Sequence, residues 1–223
     1  EHQLTYAALR RLASPNFRLL EVGAGDGSFI KRISPEILPK NNILCLEFSE
    51  YGRRSIQEFG VECLFDDIRN LKQIEFKESF NIICMFQVLE HMDGIDSVFS
   101  KLHWLMKDGA DLFISVPNPR RIEFHELNRS LLDMPPNHIG RWNKSSFEAI
   151  AQRTGFQIES HVIEELKYFS MVKQFLKYRF LRKSQDAKSL ANRITRIKKR
   201  RLRLPLQAIG AACELFTSVS SLL

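Results

Sequence analysis

The 223-residue chain has little cysteine, and what it has follows no pattern. Cys45, Cys63, Cys84 and Cys213 show no C-x-x-C spacing and no histidine at metal-site spacing, which excludes a disulfide framework. The first three stand inside apolar, strand-like runs, where buried free thiols are expected, so a reducing, cytoplasmic setting follows. An apolar leader is missing after Glu1-His2-Gln3, and a start without methionine reads as that of a trimmed chain or fragment. A membrane-spanning run is missing as well, because the sparsely charged stretch after Arg203 is broken by Pro205, Gln207 and Glu214. Repeats and low-complexity tracts are absent.

What is present is an ordinary globular composition, 44% hydrophobic and 26% charged, long enough for one sizeable core with an appendage. The net charge of +7 is unevenly placed. Residues 165–204 carry 14 Lys/Arg against Glu165 and Asp186, a net of +12, and the rest of the chain sums to −5. A mildly acidic domain, residues 1–164, is therefore followed by a basic helical extension, residues 165–223.

Apolar periodicity gives alternating helices and strands. A helix over 3–13 places Leu4, Ala8, Leu9 and Leu12 on one face, and Ser14-Pro15-Asn16 ends it. Strands are predicted over 17–22, 42–46, 61–65, 80–86 and 110–116, with helices over 26–33, 50–58 and 93–107 between them. Lys107-Asp108-Gly109 reads as a turn. The run Phe80-Asn81-Ile82-Ile83-Cys84-Met85-Phe86 is nearly all apolar, as in a parallel strand covered on both faces. This alternation predicts an α/β, Rossmann-like, doubly wound and mostly parallel sheet. A polar loop over 118–142 follows the fifth strand, in the place where such folds put substrate chemistry. Asn143 caps a helix to Arg153, and 156–163 alternates as a sixth strand.

Three features then share one sheet edge. The turn Gly23-Ala24-Gly25-Asp26-Gly27 closes the first strand, Glu47 ends the second, and Asp67 ends the third. Glycines allow close backbone approach by a ligand, and a carboxylate ending the second strand suits the two hydroxyls of a ribose. A second carboxylate one strand further out suits the exocyclic amine of adenine, so an adenosine derivative is expected. The dinucleotide fingerprint G-x-G-x-x-G would need glycine at 28, where Ser28 stands, and the third glycine comes one residue early. Glu21, just before the turn, repels a pyrophosphate and suits a cationic amino-acid tail.

On these residues the chain resembles the class I S-adenosylmethionine-dependent methyltransferases. The resemblance covers about residues 15–163. It is carried by Glu21-Val22-Gly23-Ala24-Gly25-Asp26-Gly27, Glu47, Phe65-Asp66-Asp67-Ile68, Phe86-Gln87-Val88-Leu89-Glu90-His91, and the segment Ala110 to Asn118. It implies that Gly23, Ala24, Gly25 and Gly27 shape the methionine side of the pocket, and that Glu47 with Phe48 holds the ribose. Asp67 and Ile68 frame the adenine, while Phe86 and Gln87 border the sulfonium. The segments Leu89-Glu90-His91-Met92 and 133–142 are similar to methyltransferases that modify small molecules, sugars and glycan precursors.

The reaction so implied is methyl transfer from S-adenosylmethionine, leaving S-adenosylhomocysteine, to a hydroxyl of a sugar or glycan precursor. His138 and His91 are the candidate bases, with His125, Glu123 and Asp133 behind them. Related enzymes bind magnesium through Glu-x-x-Glu-His after the fourth strand. Gln87 replaces the first carboxylate here, so no metal is expected. For the basic extension the readings rank as a solvated face, then peripheral contact with the inner face of a membrane, then RNA. A non-catalytic RNA- or membrane-associated adaptor that retains the fold is the alternative function. No antiparallel closing strand is found after residue 204.

Overall fold

A computed structural model describes residues 2–165, 168–186 and 188–197. They divide into two compact units. One comprises residues 2–117 and 135–161, the other the described residues of 118–134 and 162–197.

The first unit is built on a five-stranded, all-parallel sheet of order β3-β2-β1-β4-β5. The strands are β1 (Leu19–Val22), β2 (Ile43–Leu46), β3 (Glu62–Leu64), β4 (Phe80–Phe86) and β5 (Met106–Ser115). Their helices are α1 (His2–Leu12), α2 (Ser28–Ile33), α3 (Glu50–Phe59) and α4 (Ile95–Leu105). Every residue of β1 and β2 is buried, because helices cover both faces of the sheet. One core cluster gathers Leu20, Leu44, Met85 and Leu102, and the other gathers Leu19, Phe29, Ile33 and Cys84. The strand order reverses between β1 and β4. Open α/β sheets place ligands in the crevice beyond the carboxyl ends of the strands at such a point.

Four local expectations are corrected. Helix α1 buries Thr5 and Leu9, one turn apart, while Leu4 and Leu12 are exposed. The stretch Lys107-Asp108-Gly109 is no connecting turn: β5 begins at Met106 and absorbs it as an irregularity, with Met106 opposite Phe80 and Asp111 already opposite Ile82. The left-handed φ of Gly109, +71°, is what allows the backbone to kink there. Residues 156–163 form no strand, although they pass close to β5: the pKa of Asp111 is raised by burial and, secondarily, by Glu159. Ile158, Val162 and Ile163 are all exposed there, so no buried face rewards a ladder. The segment 118–142 is not loop throughout, since it opens with helix α5 (Pro119–Leu127). Asn118 caps that helix by accepting from Arg120 N–H, and Pro119 takes the first helical position, where its missing donor does no harm.

Helix α6 (Lys144–Thr154) keeps the predicted ends, with Asn143 accepting from Ser146 N–H and Gly155 left-handed at the C-cap. The second unit contains α5, α7 (Tyr168–Lys183) and α8 (Leu190–Thr195). Its small buried cluster is Phe180, Ala191 and Ile194. Of the basic run 193–203, only Arg193 and Arg196 are among the described residues, along with Ile194, Thr195 and Ile197. Cys213, the remaining basic residues and the question of a closing strand lie outside them.

Candidate active site

The glycine turn leaves β1 in the conformation its residues require. Gly23, Gly25 and Gly27 have φ of +69°, +56° and +78°. At Gly23 a Cβ would stand 2.5 Å from the Val88 side chain, so glycine there also lets the segment after β4 close on the turn. Gly25 differs, because nothing lies within 4 Å of the place a Cβ would take. The space above its backbone is open to a ligand.

Glu47, following β2, crosses to this turn. One carboxylate oxygen accepts from Gly25 N–H at 2.7 Å and the other from Ser49 N–H at 2.6 Å. Ser49 in turn caps α3, accepting from Gly52 N–H. Gly52 is a residue the sequence reading missed: a Cβ on it would lie 2.2 Å from the Gly25 carbonyl oxygen. Its only sequence signal is a glycine in the first turn of a helix, where propensity disfavours it.

Glu21 sits under the turn, buried among neutral thiols. In the sheet register it lies beside Cys45 on one side and Cys84 on the other. Burial raises its carboxyl pKa to about 8, with further repulsion from Asp26 and Glu47. One of its oxygens has no hydrogen-bond partner. A buried carboxyl in this state takes up a cation readily, since ionisation then comes with compensation. The thiols are pushed up too, Cys63 to about 11, so none of them is a nucleophile at neutral pH.

Asp67 is held by a partner that the sequence did not suggest. Arg69 grips both its oxygens, Nε to Oδ1 at 2.9 Å and Nη2 to Oδ2 at 2.7 Å, and spends Nη1 on Asp93 at 2.7 Å. The guanidinium keeps the Asp67 carboxyl below the usual range. Phe48 and Phe65 stand beside these carboxylates as an exposed edge-to-face pair, ring centroids 5.5 Å apart. Ile68 and Ala24, in contrast, are buried in the two core clusters. The Phe86 side chain is also buried, against Phe29 and His2 of α1, so its contribution to a ligand is support from below. Gln87 has a left-handed φ of +56°, and its N–H donates to the Ser115 carbonyl at 2.9 Å.

Beyond Gln87, the 3-10 turn Leu89–His91 brings Glu90 and His91 together with His138. The donor atoms of these three lie within 4.8 Å of one another. His125 and Asp133 are not part of this group. They pair with each other inside the second unit, Nδ1 to Oδ2 at 2.7 Å, both buried, while Glu123 is exposed on α5.

The sequence pattern of the family described as "Methyltransferase domain" matches residues 2–161, well over half the chain. The chain belongs to this family. The methyltransferase is similar to the mitochondrial ubiquinone biosynthesis O-methyltransferase of Dictyostelium discoideum, 31% identical over 112 residues. That match covers 45% of this chain and 35% of the relative, so the chain spans about a third of the relative's length. Among solved structures, the YcgJ protein from Bacillus subtilis superposes with a TM-score of 0.60 at 16% identity, covering 78% of this chain and 76% of that one. An S-adenosylmethionine-dependent methyltransferase from Archaeoglobus fulgidus superposes at 0.53 and 16% identity, covering 81% and 87%. These likenesses bear out the Rossmann-like, class I fold. The cofactor of the methyltransferase is S-adenosylmethionine. Among the described residues no helix is long and apolar enough to cross a membrane.

Proposed function

We propose that this methyltransferase transfers the methyl group of S-adenosylmethionine to a hydroxyl of a small-molecule acceptor, a sugar or glycan precursor. The observation that carries the cofactor half is the Glu47 carboxylate lying on Gly25 N–H beyond the ends of β1 and β2, beside the switch point and close to a buried Glu21. Glu47 exchanges its turn contacts for the ribose hydroxyls. Glu21 supplies negative charge where the cofactor carries its ammonium and sulfonium. Asp67, set by Arg69, meets the adenine amine, and the exposed Phe48–Phe65 pair flanks the nucleoside. Gly23, Ala24, Gly25 and Gly27 form the backbone floor, Ile68 and Phe86 back the adenine and sulfonium ends from within the core, and Gln87 borders the sulfonium.

In the chemical step an acceptor oxygen attacks the methyl carbon in line with the sulfur. The C–O bond forms as the C–S bond breaks, and the sulfonium becomes the neutral thioether of S-adenosylhomocysteine. The methyl group is already activated, so the protein contributes alignment and exclusion of water. The hydroxyl proton must leave, and His138 with His91 is the group that eases its departure. The O-methyltransferase relative supports an oxygen acceptor. Calorimetry with S-adenosylhomocysteine, followed by a methyl-transfer screen on glycosides and phenols, tests this. Absence of any binding would sink it.

Exposed Lys173, Lys177, Arg182 and Lys183 of α7, with Arg193 and Arg196, suit an anionic surface, and the sparsely charged sequence after Arg203 ranks a membrane face ahead of RNA. Flotation with anionic vesicles, compared with RNA retention, separates the two. A chain that binds either but never the cofactor would be the adaptor instead.

A further inference from the structure

Three consecutive residues of the glycine turn are met by one face of α3. Gly52 lies against the Gly25 carbonyl, and a Cβ on Gly27 would stand 2.8 Å from the Ile56 side chain. Between them, Ser55 Oγ donates to the Asp26 carbonyl at 3.0 Å. Positions 52, 55 and 56 are spaced i, i+3 and i+4, which puts them on one side of the helix. From the other direction, α2 sends Lys31 to the same place. Its ammonium donates to the Asp26 carbonyl and to Ser55 Oγ, both at 2.7 Å. The bond directions agree, because a hydroxyl gives its one hydrogen to a carbonyl while accepting from an ammonium. The three groups close a knot that joins the turn to both flanking helices. The Asp26 carboxylate takes no part in it. It turns back on Ser28, accepting from the backbone N–H at 3.0 Å and from the hydroxyl.

The knot differs from the Glu47 contact in what happens when a ligand arrives. Glu47 braces Gly25 N–H, and the ribose hydroxyls take that carboxylate under the function proposed above. A turn with glycine at every second position has many other conformations to fall into once the brace leaves. The knot grips Asp26 from the side of the helices, and the space above Gly25 stays clear.

We infer that Lys31 and Ser55 are positioning residues for the cofactor, which hold the glycine turn in its ligand-receiving shape after Glu47 has left it for the ribose. The inference rests on that proposed exchange. Its energetic content is pre-organisation, since a turn already in shape costs the ligand nothing to order.

Charge and geometry make opposite demands on Lys31. The sulfonium of S-adenosylmethionine is cationic, so a lysine acting through charge alone opposes it more than it opposes S-adenosylhomocysteine. A lysine acting as a tether favours both ligands, because both carry the amino-acid tail that the turn is proposed to receive. 5′-Methylthioadenosine lacks that tail and leans on Glu47 and Asp67 instead.

The test is calorimetry of the full-length chain with these three ligands. Lys31→Met, which removes the donors, and Ser55→Ala should each weaken S-adenosylmethionine and S-adenosylhomocysteine about fivefold or more. 5′-Methylthioadenosine should bind the variants as it binds the parent protein. Lys31→Arg, which keeps charge and donors, should retain most of the affinity. The double variant should lose little more than either single one, since one missing member already opens the knot. Lys31 is exposed and alanine is a better helix former than serine, so melting temperatures should not fall. Stronger S-adenosylmethionine binding by Lys31→Met would assign the lysine a role in charge alone and overturn the inference. Unchanged affinity in both single variants overturns it too, as does an equal loss for all three ligands with a lowered melting temperature. Those outcomes leave the cofactor reading standing, whereas a parent protein that binds no S-adenosylhomocysteine overturns both.

Discussion

The carboxylate of Glu47 bridges the second strand to the glycine turn of the first, accepting from Gly25 N–H at 2.7 Å. The contact joins two segments 22 residues apart beyond the carboxyl ends of β1 and β2, beside the β1–β4 reversal where open α/β sheets place ligands. Glu47→Ala should abolish measurable S-adenosylhomocysteine binding. Glu47→Gln, which keeps one acceptor and loses the charge, should weaken binding about tenfold or more, roughly 1.4 kcal/mol per tenfold. Calorimetry on both variants checks the order.

Glu21 predicts a pH dependence with a definite sign. Its carboxyl has a pKa of about 8 in the folded protein, against 4.5 for an unburied group. The folded state therefore holds a proton that the unfolded state has released across this window. Thermal stability of the cofactor-free protein should be greatest near the acid end and fall as pH rises through about 8. A cationic ligand reverses the preference, so cofactor affinity should rise over the same range, with proton release on binding. Glu21→Gln should flatten both profiles. Melting curves and calorimetry in buffers of different ionisation enthalpy measure the two effects.

Gly52 and Gly25 make a contrasting pair. Gly52→Ala drives a methyl group to 2.2 Å from the Gly25 carbonyl, so it should displace the turn and lower cofactor affinity about as far as Glu47→Gln. The relevant measurement is the KM for S-adenosylmethionine beside the melting temperature. An alanine at 52 that leaves KM unchanged contradicts the packing described.

Arg69 should act through Asp67. The pair is a third exposed on the arginine side and about a fifth on the aspartate side, so its contribution to stability is about 1 kcal/mol or less. Arg69→Lys loses the two-pronged grip and should weaken cofactor binding severalfold with little change in melting temperature. Asp67→Asn should match it.

His125→Ala is expected to destabilise the second unit by about 1–3 kcal/mol, because it deprives a buried carboxyl of one of its bonds. A double-mutant cycle with Asp133→Ala separates their coupling from the loss of packing, read by denaturant unfolding.

Much of the first unit was legible because its signals are local. The apolar runs of β1, β2 and β4 could only be buried strands, Asn143 announced a helix, and glycine at every second position announced a backbone that something approaches. The fold class and the cofactor followed from those features with Glu47 and Asp67 at successive strand ends. Helix α5 was legible too, in the pair Asn118-Pro119, but the polar composition after it was read as loop. The strand expected at 156–163 failed for the opposite reason, as alternation promises a strand only where a buried face rewards it.

By itself, then, the sequence determined the apolar strands of the sheet, the helices between them and the residues at strand ends, since these depend on neighbours a few positions away, but not α5 or the fate of residues 156–163. Only the tertiary structure decided that Arg69, which grips its near neighbour Asp67, also reaches Asp93, that Gly52 makes room for Gly25, and that His138 joins Glu90 and His91. Those relations depend on how backbone hydrogen bonds and side-chain volume bring distant segments together, and no periodicity in the chain encodes them.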